Sequence, residues 1–361
     1  MEDKKYKVLG MMSGTSLDGL DIAYCEFWRT GNQWNYEIKE TTTVDYTKTW
    51  RTQLKNAIHL SKEAHDALHV DYGKWLGEAA YNFINQHGLN PDFIASHGHT
   101  SHHRPEEGIT FQLGYGQALA STSRQKVICD FRTRDVALQG QGAPLVPIGD
   151  RLLLHTYDYC LNLGGISNIS FETNGQRIAF DIGLANMPLN DITARIGLEY
   201  DKGGALAKSG TLHESFYNEL NALEYYSLPY PKSTGYEWYS FTVKPLIDSY
   251  DLPVADLLHT LIQHNAHQIA NVIKRTSTKP TSKLLVTGGG AFNDFFVHCL
   301  REKLDDICQV EIPSGTLIGF KEAMVFAFMG VLRDRNEVNV LASVTGATKD
   351  SSSGEIFYPK I

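Results

Sequence analysis

Residues 7–45 read KVLGMMSGTSLDGLDIAYCEFWRTGNQWNYEIKETTTVD, and residues 159–181 read YCLNLGGISNISFETNGQRIAFD. Each stretch contains three runs rich in β-branched and aromatic residues, parted by Gly, Asp-Gly or Asn-Gly. That punctuation is the signature of strands joined by tight turns. The first stretch predicts strands over 7–12, 20–27 and 36–45, and the second over 159–163, 166–172 and 177–181. Beyond each meander, helical and strand patterns alternate. After the first comes a helix over 65–86, with Leu68, Tyr72, Leu76, Ala79, Ala80 and Phe83 on one face. A strand over 93–96, a helix over 116–123 and a strand over 127–131 complete it. After the second come helical matter, a helix over 255–275, a strand over 284–287, a helix over 292–304, a strand over 309–312 and a final helix over 319–333. The Pro-, Tyr- and Gly-rich segment 228–238 reads as an insertion.

The order β-β-β-α-β-α-β therefore occurs twice. A meander followed by alternating α and β is an RNase H-like lobe. Two in one chain make the α/β architecture of actin, hexokinase and Hsp70, with an active-site cleft between the lobes. The alternatives are two unrelated α/β domains or one large mixed sheet. No low-complexity linker marks a boundary, so the expected division is 1–135 for the first lobe and 136–339 for the second, with 340–361 returning to the first.

Composition agrees with a two-domain globular chain. Its 361 residues exceed one ordinary domain, 42% are hydrophobic and 20% charged. A net charge of −8 and a pI near 6.0 argue against a nucleic-acid partner. They do not argue against a nucleotide, because backbone N–H groups can hold phosphate. No signal-peptide pattern and no apolar run of membrane length is apparent. The expectation is a cytoplasmic protein without a membrane partner. Cys25, Cys129, Cys160, Cys299 and Cys308 are odd in number and lack C-x-x-C spacing, which predicts buried, reduced thiols.

Three loops are candidates for phosphate and nucleotide. The segment 10–19, GMMSGTSLDG, joins two strands. Gly14 and Gly19 permit unusual backbone geometry, and Ser13, Thr15 and Ser16 supply hydroxyls, making an uncharged anion nest. Asp18 and Asp21 can bind Mg²⁺. The same residues serve a plain hairpin turn. The matching loop of the second half carries Gly164 and Gly165. The third is Gly288-Gly289-Gly290 after a buried strand, where ligands of α/β sheets gather. Three glycines in a row exceed what a strand–helix connection requires.

Substrate candidates lie elsewhere. Residues 96–105, SHGHTSHHRP, hold histidines at 97, 99, 102 and 103. With no Cys near, a polar loop binding sugar hydroxyls or an ordinary surface loop fits better than zinc. In 130–135, DFRTRD, Arg132 or Arg134 is suited to gripping a substrate carboxylate, or to an internal salt-bridge network. Asp181 ends a strand just before Ile182-Gly183. A carboxylate there can take a proton while a phosphoryl group transfers, or can cap a helix. Glu322 sits on an otherwise apolar helix, either solvent-facing beside Lys321 or aimed into the cleft. That helix serves a homodimer interface or a core equally well.

The blocks GMMSGTSLDGLDIA (10–23), SHGHTSHHRP (96–105), TFQLG (110–114), DFRTRDVALQGQGAPLVP (130–147), LNLGGISNIS (161–170), YDKGGALAKSG (200–210), TGGGAFN (287–293) and VTGA (344–347) run in order almost end to end. Together they resemble the anhydro-N-acetylmuramic acid kinases. The resemblance implies an enzyme that uses ATP, Mg²⁺ and water to open the 1,6-anhydro bridge of the sugar. It then phosphorylates O6, giving N-acetylmuramic acid 6-phosphate in peptidoglycan recycling. It implies that Gly14, Thr15, Ser16, Leu17, Asp18, Gly19 and Asp21 hold ATP phosphates, with Gly164, Gly165 and Gly288–Gly290 completing the nucleotide site. It implies Asp181 as the base for water attack at C1, and His97, Arg132 and Glu322 as sugar contacts. One departure stands out. The family commonly has Asp-Thr-Gly-Pro-Gly-Asn where this chain has Asp181-Ile-Gly-Leu-Ala-Asn186. The altered loop leaves room for two other readings: a kinase for another anhydro sugar such as levoglucosan, or a non-catalytic nucleotide- or sugar-binding regulator.

Overall fold

The computed structural model describes residues 4–14 and 17–360. The chain divides into two compact units, one of Met1–Leu153 with Phe320–Ile361 and the other of Leu154–Gly319.

In the first unit, strands β1 (Tyr6–Ser13), β2 (Gly19–Thr30) and β3 (Gln33–Asp45) form an antiparallel meander. Strand β4 (Phe93–Ser96) adds parallel to β1. After a separate hairpin, β5 (His99–Arg104) with β6 (Ile109–Leu113), strand β7 (Val127–Cys129) adds parallel to β4. The C-terminal strand Glu355–Phe357 pairs antiparallel with β7, so the sheet order is Glu355–Phe357, β7, β4, β1, β2, β3. The central strands are buried on nearly every residue, as strands covered on both faces must be. Strand β3 is largely exposed and carries Glu37, Lys39 and Glu40, charges that discourage pairing along an open edge.

Helices cover this sheet. Lys62–His87 starts where the Ser61 hydroxyl accepts from the Ala64 N–H and stops at left-handed Gly88. Its face of Leu68, Tyr72, Leu76, Ala80 and Phe83 packs into one core with Leu9, Met11, Ile22 and Ile94. On the other face, Gly315–Asp334 runs so close to β1 that a Cβ on Gly10 would sit 2.0 Å from the Ala323 carbonyl oxygen. Only glycine permits that approach. By length and composition alone this helix meets the requirement for a membrane span, which corrects the sequence expectation that no such stretch exists. Its residues Ala323–Met329 are buried, the behaviour of a core helix.

In the second unit, β8 (Tyr159–Leu163), β9 (Ile166–Thr173) and β10 (Gln176–Leu184) repeat the meander. Strands β11 (Ser282–Thr287) and β12 (Cys308–Glu311) add in parallel beyond β8. The order β10-β9-β8-β11-β12 reproduces β3-β2-β1-β4-β7 of the first unit. The duplicated RNase H-like topology is therefore present in strand order as well as in element sequence. Helices Val254–Thr276 and Asp294–Leu304 bury Leu258, Leu261, Ile262, Phe296 and Leu300 against this sheet. All five cysteines are free and buried.

Candidate functional site

The β1–β2 connection of the first unit begins at Ser13. Its hydroxyl is committed inside the protein: it accepts from the Tyr46 hydroxyl at 2.7 Å and meets His99 Nδ1 at 3.1 Å. Ser13 is 2% exposed, so it braces the loop rather than facing a ligand. Gly14 accepts from the Leu17 N–H at 3.4 Å, and Leu17 is left-handed at φ 59°. Thr15 and Ser16 lie outside the described residues. Asp18 is exposed and Gly19 packs on Thr43. Asp21 accepts from the Thr43 hydroxyl at 2.6 Å through Oδ1. Burial raises the Asp21 pKa, the Thr43 bond lowers it, and the charge of Asp18 raises it again.

Arg132 follows β7 and is the hub of a second cluster. Its Nε and Nη2 both donate to His97 Nε2, at 3.0 and 2.8 Å, and Nη1 donates to the Gly142 carbonyl at 2.6 Å. Gly142 is fixed in turn, because its N–H donates to buried Asp135 Oδ2 at 2.8 Å. Asp135 Oδ1 accepts from the Thr345 hydroxyl at 2.8 Å, and the Gln141 N–H donates to the Thr345 carbonyl at 2.8 Å. The motifs DFRTRD, GQG and VTGA thus form one network that fixes the arginine. Burial lowers the Arg132 pKa to about 10, against the opposing pull of Glu322 and Asp135. It therefore stays charged at neutral pH. Glu322 keeps accessible surface, yet the protein crowded around it raises its carboxyl pKa by desolvation. Lys321 and Arg132 oppose that rise and Asp21 adds to it. Lys321 itself is buried and paired with Asp150 at 2.8 Å.

The four clustered histidines do not share one role. His97 and His99 are buried, His99 as the first residue of β5, while His102 is half-buried and His103 exposed further along that strand. His102 meets Ser101, and His103 meets Thr110.

In the second unit, Gly164 and Gly165 form the β8–β9 turn. Their carbonyls accept from the N–H groups of Asn186, Ala185 and Met187, and so cap the helix Asn186–Ala194. The glycine run after β11 divides by function. Gly288 is left-handed at φ 80°, and a Cβ there would meet Asn162 Oδ1 at 2.6 Å. A Cβ on Gly290 would strike Leu163, also at 2.6 Å. Gly289 faces open space, its nearest neighbour being Asn186 Nδ2 at 3.9 Å. Gly289 and Gly290 line a cavity of about 560 Å³. Its wall includes Asn186, Lys202 and the aromatic rings of Tyr200 and Phe292, with Leu258 and Ile262 as an apolar floor. Both rings are exposed, 57% each. The YDKGGALAKSG motif supplies Tyr200 and Lys202 because Asp201 caps the next helix, its carboxylate accepting from Leu206 and Ala207 N–H at 2.9 and 2.8 Å.

Asp181 lies in β10 beside a bulge between Asp181 and Gly183. The segment read as an insertion wraps it. Asp181 Oδ2 accepts from the Ser233 hydroxyl and the Thr234 N–H, both at 3.0 Å. The Asp181 N–H donates to the Lys232 carbonyl and its carbonyl accepts from the Tyr225 hydroxyl, at 3.0 and 2.8 Å. Among the described residues, Oδ1 takes no hydrogen bond from the protein. Burial raises the Asp181 pKa, and the bonds from Thr234 and Ser233 partly offset that. The result is a held carboxylate with one open oxygen and added basicity, a fitting state for accepting a proton. Behind Gly183, a Cβ would strike the Tyr226 ring at 2.7 Å. Tyr226 is itself pinned by buried His264, whose Nε2 lies 2.9 Å from its hydroxyl.

A profile of anhydro-N-acetylmuramic acid kinases matches residues 6–359. The anhydro-N-acetylmuramic acid kinase of Gloeobacter violaceus is 35% identical, covering 96% of this chain and 97% of its own. That of Synechococcus elongatus is 32% identical over 97% and 99%, and that of Vibrio cholerae 30% identical over 97% and 98%. Among solved structures, an activator of 2-hydroxyisocaproyl-CoA dehydratase from Clostridium difficile overlays loosely, at TM-score 0.40 and 12% identity over 91% of this chain and 97% of that one. With matches of this length and identity across both units, the chain belongs to the anhydro-N-acetylmuramic acid kinase family.

Proposed function

We propose that this chain is a cytoplasmic kinase that uses ATP and Mg²⁺ to open 1,6-anhydro-N-acetylmuramic acid with water and phosphorylate its O6, in peptidoglycan recycling. The observation that carries the reading is the state of Asp181: one oxygen held by two donors, the other open, and a pKa raised by burial. Asp181 takes a proton from water. The oxygen of that water bonds to C1 as the C1–O6 bond breaks, and O6 takes the γ-phosphoryl group from ATP, leaving ADP. The proton then passes from Asp181 to solvent.

The remaining roles rest on chemistry. The large cavity of the second unit suits a nucleoside: aromatic walls and an apolar floor for the base, with Gly289 allowing close approach. Gly288 and Gly290 support it by packing, and Gly164 and Gly165 by fixing the adjacent helix start. Gly14, Leu17, Asp18 and Gly19 would face the phosphates. Asp18 and Asp21 fit Mg²⁺, because the charge of Asp18 raises the Asp21 carboxyl and Mg²⁺ is commonly held by one or two carboxylates plus phosphate. When bound, the ion would neutralise phosphate charge. Arg132 has donors left on Nη1 and Nη2 for the lactyl carboxylate, and Glu322, whose charge acts on Arg132, would help polarise the sugar.

ADP release tests this reading. With Mg-ATP, turnover is expected on 1,6-anhydro-N-acetylmuramic acid and only weak turnover on levoglucosan, which lacks the lactyl group. Equal turnover on both sugars would reassign the substrate, and ATP binding without turnover on either would make the chain a regulator.

A further inference from the structure

The family resemblance implies that His97 contacts the sugar, but its two ring nitrogens are both engaged within the protein. Nδ1 lies 2.9 Å from the Gly98 carbonyl, which only accepts, so Nδ1 carries the proton. Nε2 then has a lone pair, and the Nε/Nη2 side of Arg132 points two N–H groups at it. This is the fork that an arginine ordinarily offers to a carboxylate. His97 borders a cavity of about 180 Å³, yet neither nitrogen is available to hydrogen bond into it. The ring is held at 5% exposure, with Phe326 packed at 4.6 Å between centroids.

The backbone fixes this arrangement. The His97 N–H donates to the Met11 carbonyl at 2.9 Å, tying the histidine to β1. Gly98 is left-handed at φ 72°, and a Cβ there would lie 2.3 Å from the Leu113 carbonyl oxygen. A side chain at 98 would therefore turn away the carbonyl that sets the His97 tautomer. The Gly142 carbonyl takes a third donor of the guanidinium, on Nη1. Five donors less three leaves one on each terminal nitrogen, the number a carboxylate takes in a fork.

We propose that His97 is a positioning residue: a neutral imidazole that occupies one fork of Arg132 and so aims the remaining two donors at the carboxylate of an anionic sugar. The proposal rests on the reading of Arg132 as the carboxylate contact. Specificity for an acidic anhydro sugar over a neutral one then depends on a residue that does not touch the sugar. The charged and titratable neighbours of the pair are His99, His103, Asp135 and Glu322.

Two measurements test it. The first needs no turnover. In the full-length protein with ¹⁵N-labelled histidine, His97 should show a protonated Nδ1 and an unprotonated Nε2 from pH 8 to pH 5. Arg132→Met should shift the Nε2 resonance toward that of a free lone pair. A His97 that titrates near the ordinary value, or an Nε2 indifferent to Arg132→Met, would overturn the proposal whatever the sugar is. The second is kinetic. His97→Phe should raise KM for 1,6-anhydro-N-acetylmuramic acid by about tenfold or more, the loss expected when a charged hydrogen-bonding group is no longer aimed. Its KM for ATP and its KM for an anhydro sugar without the lactyl group should stay unchanged. His97→Gln, whose amide oxygen can accept from Arg132, should recover most of the loss. Unchanged discrimination between the two sugars in a folded His97→Phe would refute positioning. If Arg132→Met itself leaves that discrimination intact, the carboxylate reading fails, and the resonance test still decides the pairing.

Discussion

Replacing Asp135 tests whether the Arg132 network is built as described. Asp135 is fully buried and its two oxygens serve two donors, the Gly142 N–H and the Thr345 hydroxyl. Asp135→Ala removes both acceptors and leaves two buried donors without partners. Each orphaned donor costs about 1–3 kcal/mol, so the variant should lose roughly 2–6 kcal/mol of stability. For a unit of this size, 1 kcal/mol moves Tm by about 2–4 °C. A loss near the middle of the range lowers Tm by roughly 8–16 °C. Asp135→Asn should be milder. Its amide oxygen can still take the Gly142 N–H, and its NH₂ can face the Thr345 hydroxyl, which rotates to accept. Calorimetric unfolding of the three proteins reads this directly. The Gly142 carbonyl would also lose its anchor, so Asp135→Ala should raise KM for the sugar while leaving KM for ATP alone. An Asp135→Ala protein that unfolds within a degree of the parent would refute the network. So would Asp135→Asn proving as damaging as Asp135→Ala.

Further expectations concern pH and the nucleotide cavity. His97, His99 and His264 are buried and neutral, with folded pKa values lowered by burial, His99 to about 4 and His264 to about 3. A histidine with a depressed folded pKa contributes stability that is complete above its unfolded value near 6.5 and declines as pH falls toward the folded value. Each should cost about 1.4 kcal/mol by pH 5.5, roughly 4 kcal/mol for three, trimmed by the raised carboxyls of Asp181 and Glu322. Urea unfolding at pH 7.5 and 5.5 measures it, and equal midpoints would contradict the burial of neutral imidazoles. Ser233→Ala removes a bond that favours charged Asp181, so the acid limb of kcat should move to higher pH. A limb that stays put or moves down would show that Ser233 does not hold the base. Tyr200→Ala with Phe292→Ala should raise KM for ATP about tenfold or more, given the worth of aromatic packing, with KM for the sugar unchanged. An unaltered KM for ATP would place the base elsewhere.

The meanders were legible because their turns are written in Gly, Asp-Gly and Asn-Gly, and their helices in apolar periodicity. The β5–β6 hairpin was not, because His99–Arg104 is polar throughout and shows no alternation of apolar and polar residues. Nor was the strand Glu355–Phe357, three residues that gain their identity only by pairing with β7. Motif residues stand out in the sequence, but their partners do not. Asp135 meets Thr345 across 210 residues, and Ser13 meets His99 across 86, so local pattern holds no trace of either bond. Ser13 reads as a phosphate hydroxyl for that reason, although it is spent inside the core. The segment 228–238 looks like an insertion, yet its Ser233 and Thr234 hold Asp181. Their signal is present as polar residues in a Pro-rich loop, but nothing local connects them to a carboxylate 52 and 53 residues earlier.

The most direct test of the account is turnover by Asp181→Asn. The parent and the variant are given Mg-ATP and 1,6-anhydro-N-acetylmuramic acid, with ADP release as the readout and calorimetric titration of ATP as the control. A positioned general base contributes about 10²–10⁴ in rate, so the variant should lose at least about a hundredfold while binding ATP as the parent does. A variant that keeps its rate within a few-fold would contradict the assignment of Asp181 as the group that activates water.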